Sequence, residues 1–261
     1  MDDQILRYRS VLAYNREVFL IEHAELVKEF SVVDSSFSEL CEILSRMRDA
    51  DTKSYVSLIP FVLLLQRQTR AAFEAFAAYQ AYQAWVLLRP GVEALLIAGK
   101  FLDDRDNVSI WKNRKEDQKA RQRYQQTYSG RSLKSTSLPG SDRIQRVLSN
   151  INHDFVHANP DYFYRHSKAQ AGNPGCVNLV VDYFDEGVFH EAHVLAFLHF
   201  LLVMQDALAA SLARLFNVPV GLKSSSDSFV RHFGARMRNI CSQSQEGRAV
   251  LEQLGSVVIE V

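Results

Sequence analysis

The stretch AYQAWVLLRPGVEALLIAGKFLD, residues 81–103, decides the fold class. Trp85, Val86, Leu87, Leu88, Val92, Leu95, Leu96, Ile97 and Phe101 leave it almost no polar side. A helix apolar nearly all round belongs at the centre of a helical protein. Pro90-Gly91 interrupts the run, so the chain either bends there or begins a new helix with Pro90 in its first turn.

Outward from this segment, helical periodicity dominates. Residues 4–30 read as one long helix carrying Ile5, Leu12, Phe19, Leu26 and Phe30. Ser36-Phe37-Ser38-Glu39 has the form of a capping box, followed by Leu40, Ile43, Leu44 and Met47 on one helical stripe. Thr52 can cap a helix over 53–80, kinked or restarted at Pro60. Beyond 103, residues 106–128 read as a polar helix, 129–140 as a loop, and Ser141 to about His157 as a helix stopped by Ala158-Asn159-Pro160. A long loop over 158–176 and a β-branched segment over 177–184 precede a second core-type helix, 188–217. Pro219, Gly221 and Ser224-Ser225-Ser226 form a linker to an amphipathic helix over 227–242. The predicted fold is all-α, a multi-helix bundle with long antiparallel helices and at most one short strand or extended segment near 177–184. The predicted organisation is one helical domain, 1–217, with a C-terminal linker and helical appendage, 218–261.

Composition excludes some classes of function. The 261 residues are 47% hydrophobic and 23% charged, enough for a real core. Thirty basic residues balance thirty acidic ones, so no global attraction to nucleic acid or membrane is expected. The acidic start, Met1-Asp2-Asp3-Gln4, lacks the character of a signal peptide, and no apolar run reads as a membrane span. Cys41, Cys176 and Cys241 are too scattered for a disulfide framework and fit a reducing, cytoplasmic setting. There is no P-loop, dinucleotide fingerprint, nucleophile elbow or His-Glu-x-x-His, so no cofactor is expected.

Four groups of residues carry chemical interest. On the helix from Ser141, Arg146, Asn150, His153 and His157 form a polar stripe opposite Ile144, Val147, Leu148, Ile151 and Phe155. Such side chains bind anions or share protons, but are equally often merely solvated. Arg89 and Glu93, i and i+4 on the apolar 81–103 segment, need partners if buried. Each can satisfy the other, or Glu93 can orient His153 or His157. Asp182, Asp185, Glu186, His190 and His193 are spaced for ligands side by side, yet the paired Glu-x-x-His motifs of a bundle metal site are missing. The bland reading is an acidic helix start, and no metal is expected. Finally, residues 112–146 hold ten basic residues against three acidic ones, a net of +7, with Tyr124 and Tyr128 among them. Such a segment can hold RNA or another phosphate-bearing ligand. Equally, it can be a solvated face balanced by the acidic N-terminal helices.

The runs Leu87-Leu88-Arg89-Pro90-Gly91-Val92-Glu93 and Asn152-His153-Asp154-Phe155-Val156-His157-Ala158-Asn159-Pro160 resemble a group of uncharacterised bacterial helical proteins. That group is similar to the HEPN superfamily, helical bundles that include RNA-cleaving toxins and nucleotide-binding modules. The resemblance covers residues 55–160. HEPN nucleases carry an Arg, four to six residues, then a His; here six residues separate Arg146 from His153, and Val147 stands where the family places a polar residue. The resemblance implies His153 as general acid or base on a ribose 2′-hydroxyl, Arg146 stabilising charge on the phosphate, and a homodimer. Two expectations result: a non-catalytic binding or regulatory module of bacterial stress or defence type, or a metal-independent ribonuclease using Arg146 with His153 or His157.

Overall fold

The computed structural model describes residues 3–46, 53–129, 133–156, 166–171, 177–181, 184–216 and 221–255. The fold is all-α, a multi-helix assembly. Helix α1 (Gln4–Glu22) and α2 (Ala24–Arg46) meet at a break at His23. The single helix predicted over 4–30 is thus two, and the predicted apolar stripe divides with it. Phe19, Leu26 and Phe30 are buried, while Ile5, near the start of α1, is 68% exposed.

Ser36 does not cap a helix. It lies buried within α2, and its hydroxyl donates to the Val32 carbonyl 2.9 Å away. A serine can satisfy itself on the turn behind it, which removes its need to be a terminus. Restart at Pro60 is observed: a 3₁₀ turn, Lys53–Leu58, leads into α3 (Ile59–Ala77) with Pro60 in its first turn, where the missing N–H costs nothing.

Helix α4 (Ala81–Asp103) has the bounds the apolar run predicts, and it continues through Pro90. Proline deprives the Val86 carbonyl of its helical donor, and Val86 lies on a partly exposed face where water can serve instead. Gly91 lets α3 and α4 approach closely: a Cβ there would stand 3.1 Å from Leu65 and Gln68 side-chain carbons. The two helices form an antiparallel hairpin whose turn places Tyr79 at φ 60, a left-handed conformation costly for an aromatic residue.

The polar stretch after α4 is two helices, α5 (Asp106–Lys112) and α6 (Gln118–Tyr128), because Asp117 caps a fresh start by accepting from the Ala120 N–H at 2.7 Å. The loop that follows is latched to the end of α4. One Asp103 carboxylate oxygen lies 2.8 Å from the Ser137 N–H and 3.0 Å from the Thr136 hydroxyl. Helix α7 (Ser141–Ile151) buries Ile144, Val147, Leu148 and Ile151 against α4 and passes into a single π turn, Asn152–Val156.

Strand β2 (Val177–Val181) falls in the predicted extended segment. It pairs antiparallel with β1 (Ser167–Ala171), from Ser167 opposite Val181 to Ala171 opposite Val177, in a stretch predicted to be loop. The short hairpin thus holds two strands where at most one was expected. Helix α8 (Gly187–Phe216) is buried along most of its length and packs on α2, α4 and α7. By length and apolarity it could cross a bilayer, but here it is enclosed by other helices. After it, α9 (Ser226–Gln243) and a further helix α10 (Gln245–Gln253) lie against α8 through Phe229, Phe233, Met237, Ile240 and Leu251.

Candidate functional site

The charged pair on the central helix is half-exposed. Arg89 Nη1 lies 3.3 Å from Glu93 Oε2, with side chains 35% and 38% exposed. Arg89 Nε also donates to Asn152 Oδ1 at 2.5 Å, which joins α4 to the π turn one residue before His153. Glu93 therefore faces Arg89, and the residue that reaches this pair from the later helix is an amide. His153 is exposed, and among the described residues no hydrogen bond or ion pair joins it to Glu93. His157 and Asp182 lie outside the described residues.

The rest of the polar stripe divides by role. Asn150 donates to the Gln253 carbonyl at 2.9 Å and so fastens α10 to α7. Arg146 is exposed, with no ion pair or hydrogen bond among the described residues. Burial lowers the Arg143 guanidinium from its ordinary value, and the neighbouring Arg146 adds to the effect.

A second polar centre is buried where His166, just before β1, meets Asp185 and the start of α4. Asp185 is fully enclosed. Its Oδ1 lies 2.9 Å from His166 Nε2, and its Oδ2 accepts from the Ala81 N–H at 2.7 Å, at the start of α4. The Asp185 N–H in turn donates to the Tyr79 carbonyl at 2.8 Å. Burial alone would push this carboxyl up. The His166 hydrogen bond, the nearby His193 ring and the Ala81 N–H outweigh that and hold it below its ordinary value. His193 Nδ1 accepts from the Trp85 indole N–H at 2.9 Å, so the neutral ring carries its proton on Nε2. The His190 ring packs at a tilt against Tyr79 with centroids 4.5 Å apart, and among the described residues neither of its nitrogens has a well-formed hydrogen bond. Burial pushes it down to about 4, against the opposing pull of Asp185.

Of the predicted group Asp182, Asp185, Glu186, His190 and His193, the three members Asp185, His190 and His193 are buried, each against a different partner. Glu186 points into solvent, and among the described residues no set of three His, Cys, Asp or Glu side chains is arranged to hold a metal ion. His166, Trp85 and Asn152 were not among the candidate residues. Each is brought in from a distant part of the chain, beyond the reach of local spacing.

The basic segment is the most open of the candidates. Trp111 packs its edge-on ring against Phe61 at 5.3 Å and carries the Arg114 guanidinium 4.1 Å above its centroid. Tyr128, buried, donates to the Asn107 carbonyl at 2.6 Å and pins the far end of α6. Between these anchors α6 stands clear: only Ala120, Tyr124, Thr127 and Tyr128 face the body, and its remaining side chains are exposed. A cleft of about 930 Å³ lies along one flank, lined by Arg114, Lys115, Asp117, Gln118, Arg121, Gln122, Tyr124 and Gln125. A smaller one, about 220 Å³, lies along the other beside Asn113, Glu116, Lys119 and Arg123.

The acidic N-terminal helices do not balance these cations by direct pairing. Asp34 pairs with Arg70, Glu39 with Lys223 and Glu42 with Arg46. Lys134 is taken by Asp142 at 2.6 Å. Lys112, Lys115, Lys119, Arg121 and Arg123 have no ion pair among the described residues. A scan of family models, a search of curated proteins and a search of solved structures each found no match to this chain.

Proposed function

We propose that this protein is a non-catalytic binding module, of the bacterial stress or defence type, whose ligand is nucleic acid held on the 112–146 segment. The observation that carries this reading is the row of cations on α6 that have no ion pair among the described residues, between two open flanks with Tyr124 at its base. Cations that no carboxylate neutralises are free to displace counterions from phosphates, the main source of affinity for a polyanion. The polar groups deeper in the fold support the same division of labour. Asn150, Asp185, His166 and His193 are engaged in holding elements together, which leaves the exposed arm to meet a ligand.

A labelled nucleic acid titrated with the full-length protein at about 50 mM salt should bind, weaken steeply by about 200 mM, and be recovered intact. Absence of binding at the lower salt would remove the proposal.

One observation favours ribonuclease action as a second reading. Arg146 and His153 are both exposed, and neither has a hydrogen bond or ion pair among the described residues, so both are available to a phosphate and a 2′-hydroxyl. On this reading purified protein cleaves RNA without added metal, and His153→Ala or His157→Ala abolishes cleavage. RNA that survives the parent protein, or is cut equally by the variants, rules it out.

A further inference from the structure

Resting on the nucleic-acid reading, we infer that α6 enters the major groove of double-stranded DNA, with its amides against base edges and its cations on the two phosphate walls. The helix has the sequence QKARQRYQQTY, with three cations, four glutamines and no carboxylate. At about 100° per residue the two arginines fall toward opposite edges, Lys119 falls beside Gln126, and Gln118, Gln122 and Gln125 border the larger cleft with Arg121. Ala120, Tyr124, Thr127 and Tyr128 form the face turned to the body. Opposite them, on the crest, lie Gln118, Gln122, Gln125 and Gln126, all exposed. Arg121 falls on one edge, above the larger cleft, and Lys119 and Arg123 fall on the other, above the smaller.

A surface built only for phosphate would carry cations on its crest. Amides there serve a different chemistry, because each can donate and accept at once, as the edge of a base pair requires. The outer diameter of an α-helix, about 10–12 Å, matches a B-form major groove about 12 Å wide. Cations on both edges then meet both strands. The eleven residues of α6 span about 16 Å, enough to cross a groove while the clefts on either flank leave room for its walls. The major groove of A-form RNA is too deep and narrow for such a helix, and a single strand has only one phosphate wall to occupy both edges. The carboxylates nearby, Glu116 and Asp117, lie before the first turn: Asp117 accepts from the Ala120 N–H and borders both clefts, and Glu116 borders the smaller.

The test is fluorescence anisotropy of the full-length protein with duplex DNA, duplex RNA and single-stranded DNA of one mixed sequence, each titrated in salt. The expected result is duplex DNA bound about tenfold or more tighter than the others, with a log–log salt slope of about −2.7 for three phosphates. Arg121→Gln with Arg123→Gln should flatten that slope by about two, since each phosphate contact contributes about one. Gln118→Ala with Gln122→Ala should leave the slope alone and lower affinity for the duplex DNA about tenfold. All four positions are exposed, and unchanged circular dichroism of the variants establishes that they fold. Duplex RNA or single strands bound as tightly as duplex DNA, an unchanged slope in the arginine variant, or indifference to loss of the glutamines overturns the inference. RNA binding that depends on Arg121 and Arg123 would overturn it while sparing the broader reading. No binding to any of the three would end both.

Discussion

A buried imidazole held neutral by desolvation is a liability that depends on pH. His190 is held down to about 4 by burial, and so is His199, whose ring contacts the Gly255 carbonyl at 2.6 Å. In the unfolded chain both titrate near 6.5. Between about 6.5 and 4 the unfolded state therefore binds more protons than the folded one, and stability falls as pH falls. Each histidine should remove about 2 kcal/mol between pH 7 and pH 5, and below about 4 no more, since both states are then protonated. Asp185, whose carboxyl is held low, adds its own loss only at more acid pH. Denaturant unfolding at the two pH values measures this. His190→Phe, which keeps a ring against Tyr79, should remove about half of the pH dependence; an unaltered dependence would contradict the assignment.

At the scale of elements, close approach decides what a substitution costs. A Cβ at Gly99 would stand 2.9 Å from that of Ser135, on the latch between α4 and the loop before α7. Gly99→Ala should destabilise by about 1–3 kcal/mol, as overpacking does. Gly221→Ala, with nothing within 4 Å, should change little. Thermal unfolding of the two variants makes the comparison. The same scale shows what was legible in the sequence. Helix α4 was readable to its ends because an apolar run this long has one stable placement. The break at Asp117 was hidden by a side chain that is a cap in one context and ordinary surface in another. Strand β1, Ser-Lys-Ala-Gln-Ala, has no β-branched residue to announce it and exists because β2 pairs with it. The i, i+3 spacing of His190 and His193 was visible. Trp85, which fixes His193, is 108 residues away, and periodicity carries no information over that distance.

Across the whole molecule, the C-terminal segment and the long helix α8 depend on one another. Phe229, Phe233, Met237, Ile240, Leu251 and Leu254 are all buried in the assembled chain. At about 1.5–3 kcal/mol for each buried side chain, removing them costs on the order of 10 kcal/mol, comparable with the entire stability of a domain. A chain ending at residue 217 should be insoluble or aggregate on gel filtration; a well-folded monomer would instead mark 218–261 as dispensable. The β-hairpin presents the opposite case. Its two stems meet at one buried point, where His166 and Asp185 are 2.9 Å apart, so whatever is spliced between them begins and ends at the same place. Lengthening such a closed excursion twofold adds only about 0.6 kcal/mol of closure entropy. A tag or reporter domain inserted between β1 and β2 should therefore leave the melting temperature of the helical body nearly unchanged.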